Sequence, residues 1–266
     1  MINVSIVLYN HSLSEIKPLV ETLRKSELVS AIFLIDNSPK RNNEFEQLTV
    51  DYIFNSKNLG YGTAHNIAIQ KTIKQNIPYH LVVNPDISFD VTILAKILHF
   101  MDSNPEIGHL MPKVFYPNDE IQFLCKLLPS PFDLIFRRFL PEGWTRKRME
   151  EFELRNLGYN KIMDVPYLSG CFMFLRSEAL KKVGLFDERF FMYPEDIDLT
   201  RRIHREYRTV YFPDVSIIHH HARDSYVNMK MLWIHTLNMI RYFNKWGWFF
   251  DSERKKINKN TLNQFN

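Results

Sequence analysis

Residues 79–86 read Tyr79-His80-Leu81-Val82-Val83-Asn84-Pro85-Asp86, an apolar run that stops at a polar turn. Such a short apolar run is typical of a strand that is buried on both faces of a sheet. The turn residues after it mark the end of the strand. The sequence therefore predicts a buried strand whose carboxyl end carries an amide and a carboxylate.

The same arrangement occurs twice more in the first hundred residues. Apolar runs at 4–9 and 31–35 lead into Asn10-His11 and Asp36-Asn37. Further predicted elements are a strand at 52–54 and helices at 14–25, 62–75 and 92–101. This alternation predicts an α/β fold with a Rossmann-like, mostly parallel sheet flanked by helices. Because ligands of such sheets bind beyond the carboxyl ends of the strands, we expect the polar residues at those ends to form a ligand site.

Composition excludes several classes of protein. The chain has 266 residues, 45% hydrophobic residues and a net charge of +4. This length can bury a large core, and so small a basic excess argues against nucleic-acid binding. No apolar run reaches the length of a membrane span, and the first residues show no signal-peptide pattern. The two cysteines lack metal-ligand spacing, and Cys171 is expected to be a buried thiol, so we predict a cytoplasmic protein.

The stretch Pro194-Glu195-Asp196-Ile197-Asp198 carries the strongest candidate for catalysis. Pro194 fits the first position of a helix, which puts Glu195 and Asp196 in its first turn. There the helix dipole favours ionised carboxylates, and one of them can serve as a general base. The alternative is a purely structural acidic turn, since Asp198 and Arg202 are four residues apart and can pair.

A glycine-containing loop at residues 58–62 leads into the helix predicted at 62–75. Glycines allow a ligand to approach the backbone, and exposed N–H groups at a helix start favour phosphate. The spacing differs from the dinucleotide-binding fingerprint. The loop is therefore a candidate phosphate-binding element of another type.

Asp86 and the run His219-His220-His221 are candidate metal ligands. A carboxylate at a strand end can hold Mg²⁺ or Mn²⁺, although Asp86 could equally cap its turn. Strand alternation puts His219 and His221 on one face and His220 on the other, so at most two of them can easily share an ion.

Two regions depart from the alternating pattern. Residues 117–160 have weak periodicity and are broken by Pro129, Pro131 and Pro141, and we interpret them as an insert or mobile loop beside the site. After residue 160 we predict strands at 171–175, 209–212 and 215–218, helices from Ser177 and Pro194, and a long helix at 228–250.

Taken together, these motifs resemble family 2 glycosyltransferases. The similarity to the nucleotide-sugar half of the family, its Asp-x-Asp metal motif and its acceptor half lies at residues 5–10, 35–38, 58–66, 84–86, 169–176 and 186–199. The nearest subgroup is the rhamnosyltransferase-like enzymes of bacterial surface polysaccharide assembly. The resemblance covers residues 3–225 and matches the insert and the tail poorly.

The resemblance implies a GT-A domain over 1–225, with a nucleotide-sugar half at 1–116 and an acceptor half at 161–225, followed by a helical tail at 226–266. It implies inverting transfer, with Mg²⁺ or Mn²⁺, from a nucleotide sugar such as dTDP-rhamnose to a lipid-linked oligosaccharide of an O-antigen or capsule.

The resemblance also assigns roles to residues. Asp196 would be the catalytic base, with Glu195 beside it. Asp86 would bind the metal, and one histidine of residues 219–221 would be a further ligand of the metal or of the diphosphate, with His219 and His220 as the candidates for the metal. The residues expected to bind the donor are Tyr9, Asn10, Asp36, Asn58, Gly60, Asn66 and Gly170, with Asp36 at the base or ribose. Asn84 replaces the first Asp of the metal motif, which implies weaker metal binding or Asp86 as the sole carboxylate ligand.

Two other functions are compatible with an α/β nucleotide-binding fold. A sugar-phosphate nucleotidyltransferase would usually show a loop rich in glycine and basic residues after the first strand, where this chain has Tyr9-Asn10-His11-Ser12. A non-catalytic module on the same fold would not need Asp86 together with Glu195 and Asp196.

Aromatic residues beside basic ones predict peripheral contact with the inner, anionic face of the cytoplasmic membrane. In the insert these residues are Phe132, Ile135, Phe136, Arg137, Arg138 and Phe139. In the tail they are Trp246, Trp248, Phe249, Phe250, Arg254, Lys255 and Lys256. For residues 228–245, whose apolar positions have helical spacing, packing on the core is an equally good interpretation.

Overall fold

The structure is a computed structural model that describes residues 1–134, 142–220 and 229–265. In chain order its strands and helices are β1 Ile2–Leu8, α1 Leu13–Arg24, β2 Val29–Asp36, β3 Asp51–Phe54, α2 Tyr61–Lys74, β4 Tyr79–Val83, β5 Ile87–Ser88, α3 Ile93–Ser103, β6 Ile107–Phe115, β7 Cys125–Lys126, α4 Pro131–Leu134, α5 Glu142–Phe152, β8 Met163–Asp164, β9 Tyr167–Leu168, β10 Phe172–Arg176, α6 Ser177–Val183, α7 Glu195–His204, β11 Arg208–His219, α8 Met229–Trp246 and α9 Ser252–Leu262.

The main sheet is mixed and has the order β3-β2-β1-β4-β10-β6-β11-β5. The first four strands in this order are parallel, and β10 runs antiparallel between β4 and β6. Apolar residues of α1 and α3 pack on one face of the sheet, and those of α2, α6 and α7 pack on the other. The predicted α/β architecture is confirmed.

Strand β6 has no counterpart among the predicted elements, because Gly108, His109 and Pro112 interrupt its apolar pattern. It pairs in parallel with β11, and the register shifts between Phe212 and Ser216, opposite Pro112. Proline has no backbone N–H to donate to a neighbouring strand, so Pro112 is accommodated at this irregular position. The two strands predicted at 209–212 and 215–218 are therefore one bulged strand.

The described part of residues 117–160 carries a core of its own. Buried Cys125, Phe152 and Tyr159 pack with Met163 and Tyr211 of the main sheet. The Tyr159 hydroxyl donates to the carbonyl of Glu153 at 2.7 Å, which ties the segment together. Residues 135–141, with the predicted membrane residues Ile135, Phe136, Arg137, Arg138 and Phe139, lie outside the described residues.

The tail forms two helices instead of the single predicted helix. Helix α8 ends at Trp246, and Gly247 then adopts a φ of +98°, which favours glycine. The Asp251 side chain caps α9 by accepting the N–H of Arg254 at 2.8 Å. Met239, Tyr242 and Phe243 are buried against Phe190 and Ile197, so this part of the tail packs on the core.

Three buried histidines predict acid-sensitive stability. Burial lowers the pKa of His65, His80 and His109, and it lowers the last two to about 3. The unfolded chain binds a proton near pH 6.5 that the folded chain does not bind. The contribution of these neutral histidines to stability is therefore complete above pH 6.5 and falls as the pH drops, by roughly 3 kcal/mol for each of His80 and His109 at pH 4.5.

His109→Leu should reduce the loss of stability between pH 7 and pH 4.5 by the contribution of one histidine, roughly 3 kcal/mol. The ring is fully buried, and its Nε2 has no hydrogen-bond partner among the described residues. Urea unfolding at pH 7 and pH 4.5 measures the difference. Equal acid sensitivity in the wild type and the variant would contradict a neutral buried His109.

Candidate active site

A cavity of about 840 Å³, here called the main cavity, opens at the carboxyl ends of β1 and β4. The predicted site residues that line it are Tyr9, Asn58, Gly60, Asp86 and His220. This is the position at which parallel α/β sheets bind their ligands. Its volume is within the range of small-molecule sites.

Gly60 sets the shape of the cavity wall. It has a φ of +86°, and a Cβ at this position would lie 2.3 Å from the carbonyl oxygen of Phe191. The same oxygen accepts the N–H of Tyr61 at 3.0 Å, and the Asn58 side chain accepts the N–H of Gly60 at 2.9 Å. Only glycine permits this close approach between the loop and the segment that precedes α7.

Four predicted donor-binding residues, Asn10, Asp36, Asn66 and Gly170, make contacts within the protein and do not line the main cavity. The buried Asp36 carboxylate accepts the N–H of Ser38 at 2.9 Å and the hydroxyl of Tyr52 at 2.7 Å. Asn10 donates its N–H to the Ser38 hydroxyl at 2.7 Å. Asn66 makes two hydrogen bonds to the backbone of Phe186, at 2.9 and 3.0 Å, and so attaches α2 to the segment before α7.

Asn37, one of the polar strand-end residues expected to form the ligand site but given no individual role, lines the main cavity. Its side-chain amide donates to the carbonyl of Gly60 at 3.0 Å. It is the first residue after β2, whose last residue, Asp36, does not line the cavity.

Asp86 and His219 form the candidate metal site. Asp86 Oδ2 lies 3.4 Å from His219 Nε2, and His219 Nδ1 lies 3.0 Å from Gln122 Oε1. The His220 ring instead contacts the Ser88 hydroxyl at 2.9 Å, although its backbone N–H donates to the carbonyl of Asp86. His221 is outside the described residues.

The ligands available in this pair fit Mg²⁺ or Mn²⁺ only in part. Within residues 1–134, 142–220 and 229–265, no group of three or more His, Cys, Asp or Glu side chains is placed to hold an ion. Magnesium commonly takes one or two carboxylates and completes its coordination with water and substrate phosphate. Asp86 and His219 are therefore candidate ligands that would need oxygens from water and a diphosphate to complete the coordination.

Asp196 lies at the start of α7 and is held by two backbone N–H groups. Gly170 donates to Oδ2 at 2.9 Å and Ile197 donates to Oδ1 at 2.8 Å. Burial raises the pKa of Asp196 to about 6, although these N–H groups and the charge of Lys126 oppose the shift. Asp196 is therefore mostly ionised at neutral pH and can accept a proton.

Glu195 differs from its neighbour. It is 4% exposed, and its Oε2 has no hydrogen-bond partner among the described residues. Burial and the charge of Asp196 raise the pKa of Glu195 to about 8, so this carboxyl is neutral at pH 7. At Glu195 burial outweighs the helix dipole, which leaves Asp196 as the carboxylate of this pair that can serve as the general base.

Tyr61 links the turn that carries Asp86 to the segment that holds Asp196, a role that the sequence does not predict. Its hydroxyl lies 2.7 Å from the carbonyl oxygen of Gly170 and 3.1 Å from Asn84 Oδ1. Gly170 holds Asp196, and Asn84 belongs to the turn that carries Asp86. The one signal in the sequence is the position of this tyrosine between two glycines.

Comparison with solved structures assigns the architecture. The chain superimposes on GalNAc-T7, crystallised with UDP, GalNAc and Mn²⁺, with a TM-score of 0.65 and 15% identity, over 96% of this chain and 49% of the other. This is the GT-A fold. The expected GT-A architecture is confirmed.

Curated sequences agree with the motifs. A Mycobacterium tuberculosis protein named N-acetylglucosaminyl-diphospho-decaprenol L-rhamnosyltransferase is 29% identical over an alignment of 186 positions, which covers 63% of this chain and 58% of that protein. Rhamnosyltransferase WbbL of Escherichia coli is 27% identical over an alignment of 258 positions, which covers 91% of this chain and 92% of WbbL. The match to the mycobacterial protein therefore spans less than two thirds of its length. No protein-family model matches the chain. The GT-A chain is thus similar in sequence to rhamnosyltransferases, and the predicted resemblance is confirmed.

Proposed function

We propose that the chain is an inverting glycosyltransferase that moves a sugar from a nucleotide-sugar donor to an acceptor hydroxyl. The observation that carries the proposal is that, in a GT-A fold, Tyr61 of the main cavity wall links the carboxylate of Asp86, which lines the cavity, to the segment that holds the carboxylate of Asp196. Tyr61 contacts both the turn that carries Asp86 and the Gly170 backbone that holds Asp196. Direct displacement needs one carboxylate that binds the metal and another that accepts the proton.

In the proposed reaction, Asp196 removes the proton from the acceptor hydroxyl. The oxygen bonds to the anomeric carbon from the face opposite the diphosphate, and the bond from that carbon to the diphosphate breaks. Neutral Glu195 adds no second negative charge beside the attacking oxygen. The reaction needs no covalent intermediate with the protein.

Asp86 and His219 are the residues that would hold Mg²⁺ or Mn²⁺. The ion, when bound, neutralises charge on the diphosphate and makes it a better leaving group. GalNAc-T7, which shares the fold, was crystallised with Mn²⁺, and this supports a divalent ion here.

For the substrates, we propose a rhamnosyl nucleotide, such as dTDP-rhamnose, and a lipid-linked oligosaccharide of a surface polysaccharide. The support is the names of the two relatives, one of which includes a diphospho-decaprenol acceptor. A screen of sugar nucleotides with Mn²⁺ and an N-acetylglucosaminyl-diphospholipid tests both substrates, with release of nucleoside diphosphate as the signal. Release of pyrophosphate from a nucleoside triphosphate and a sugar phosphate would instead identify a nucleotidyltransferase, and no turnover of any kind would favour a non-catalytic module.

Asp86→Ala should weaken metal-dependent donor binding by about tenfold or more, because a charged contact worth about 1.5–3 kcal/mol is lost. Calorimetry with the nucleoside diphosphate and Mn²⁺ measures the loss. Asp90→Ala, at an exposed carboxylate beyond β5, is the matched control and should bind like the wild type. Equal binding by Asp86→Ala and the wild type would contradict the metal role.

We also propose peripheral contact of the tail with the inner face of the cytoplasmic membrane. Among the described residues, no helix has the length and apolarity needed to cross a bilayer. Phe249 and Phe250, in the turn between α8 and α9, are 63% and 97% exposed, and Lys255 and Lys256 nearby are exposed. In contrast, Arg254 is buried and donates to the backbone of Pro129 and Trp248, so it belongs to the protein interior.

Phe249→Ser, Phe250→Ser, Lys255→Glu and Lys256→Glu, combined in one variant, should lose flotation with anionic liposomes. Each cation contributes about 1 kcal/mol near an anionic surface, and the aromatic rings add apolar burial. Lys25→Glu with Lys74→Glu makes the same change in charge at exposed positions of other helices and should still float. Equal flotation of the fourfold variant and the wild type would show that the tail is not the membrane contact.

A further inference from the structure

A second cavity, of about 460 Å³, adjoins the metal pair on the side of residues 116–126. Its lining includes Glu120, Phe123, Lys126, Ser169 and His219. None of these residues except His219 has a role in the function proposed above. The volume is within the range of sites that hold small molecules.

Two contacts connect this second cavity to the proposed reaction centre. His219, in its wall, lies 3.4 Å from Asp86, which lines the main cavity. Ser169, also in its wall, precedes Gly170, whose N–H holds Asp196 at 2.9 Å. The metal pair therefore joins the two cavities, and Gly170, which holds the general base, follows Ser169 of the second cavity and contacts Tyr61 of the main cavity. A donor in one cavity and an acceptor in the other would meet at Asp196.

The charges of the second cavity favour one class of ligand. Lys126 and Arg155 are cationic, but Glu120 and Glu153 also line the wall, and Glu153 accepts both Nε and Nη2 of Arg155. Formal charges therefore balance, which disfavours an isolated phosphate. Balanced acids and bases offer acceptors and donors to a ligand with many hydroxyls.

Aromatic rings also contribute to the second cavity. Tyr116 and Phe123 contribute to the wall, and the Arg155 guanidinium covers one face of Phe123 at 4.4 Å. The Lys126 ammonium lies 5.6 Å from the centre of the Tyr167 ring. Rings of this kind offer apolar area to the C–H faces of a sugar, while the charged groups bind its hydroxyls.

We propose that the second cavity binds the terminal sugar of the acceptor, with Glu120 and Lys126 as ligands of its hydroxyl groups. The proposal rests on the glycosyl transfer proposed above. It assigns specificity for the acceptor to residues 116–126 and leaves the donor to the main cavity.

Glu120→Gln and Lys126→Met test the proposal against a matched neighbour. Each should raise the KM for an N-acetylglucosaminyl-diphospholipid by about tenfold, the effect of one lost charged hydrogen bond. Asp119→Asn is the control, because Asp119 is exposed on the same turn and has a φ of +65°, which asparagine tolerates. This control does not line either cavity and should keep the wild-type KM for both substrates.

Direct binding separates failure of this proposal from failure of the proposed function. Calorimetry with the same lipid probe, in the presence of nucleoside diphosphate and Mn²⁺, should show a tenfold weaker Kd in Glu120→Gln. If sugar is transferred but both variants keep the wild-type KM and Kd, the second cavity is not the acceptor site. If the wild type transfers no sugar, loss of probe binding in the variants still supports a sugar site, and unchanged binding overturns it. A loss seen equally with an alkyl diphosphate that lacks the sugar would mean that the cavity binds the diphosphate, which also overturns the proposal.

Discussion

Asp196→Asn is expected to lower kcat by roughly 10²–10⁴-fold, the usual contribution of a general base. The amide has nearly the shape of the carboxylate but cannot take up the proton of the acceptor hydroxyl. Its oxygen can still accept one of the two N–H groups, of Gly170 and Ile197, that hold Asp196. Donor binding should therefore change little, and calorimetry with nucleoside diphosphate and Mn²⁺ measures it.

Glu195→Gln is the matched control for this substitution. Because burial raises the pKa of Glu195 to about 8, the wild-type side chain is neutral at pH 7 and glutamine resembles it. We expect less than a tenfold change in kcat. Equal losses in the two variants would contradict the assignment of the base.

The wild-type rate should also depend on pH through Asp196. The base must be ionised, so kcat/KM should rise with pH up to its pKa of about 6 and then level off. At pH 5 the rate should be about tenfold below the plateau, since only about one tenth of the base is ionised one unit below its pKa. A flat profile between pH 5 and pH 8 would exclude Asp196 as the base.

Arg201→Met is expected to lower the free energy of unfolding by about 3–5 kcal/mol, the typical result of leaving one partner of a buried ion pair alone. Arg201 is buried in α7 and donates to both oxygens of Asp251 at 2.9 Å. It also donates to Glu253 at 2.7 Å, and its guanidinium lies 4.1 Å from the centre of the Trp246 ring. Helix α7 carries Asp196, so these contacts attach the tail to the catalytic helix.

Arg205→Met is the control, at the residue that directly follows α7 and lies about one turn beyond Arg201. Arg205 pairs with the same Glu253 and stacks on the same Trp246, but its side chain is 43% exposed. Surface pairs contribute about 0–1 kcal/mol, so the loss should be small. Urea unfolding at pH 7 compares the two, and equal losses would mean that burial of the Arg201 pair is not what stabilises the tail.

A second set of contacts also attaches the tail to helix α7. The buried Asp198 pairs with Arg202, at 2.9 Å, as the spacing of four residues predicted. It also accepts the Lys245 ammonium at 2.6 Å and the Trp246 indole N–H at 2.8 Å. Only the first of these contacts is local in sequence, and the other two depend on how α8 packs. Tyr242 and Phe243, in the segment for which packing on the core was one of two interpretations, and Trp246, which was expected at the membrane, all take part in the packing of α8 on the core.

The features that the sequence determined are those carried by short-range patterns. Apolar runs that end in polar turns identified β1, β2 and β4, and the alternation of strands with helices predicted the α/β fold. The residues at the strand ends, such as Asp86, and the acidic turn at Glu195 and Asp196 were found in the same way. These patterns are local because burial of a strand or of one helix face requires apolar residues at fixed spacing.

Tertiary structure alone decided which polar residues face the main cavity. Asp36 and Asn37 belong to one sequence motif, and Tyr61 and Asn66 belong to another. Asp36 and Asn66 nevertheless hold Tyr52 and the Phe186 backbone, while Asn37 and Tyr61 line the main cavity. Strand β6 was hidden because its interruptions are compatible with a strand only beside the bulge of β11. Burial, which raises the pKa of Glu195 above that of Asp196, depends on side chains distant in the chain. No local pattern encodes the desolvation of a carboxyl group, and so the division of roles between these two neighbours appears only when the chain is folded.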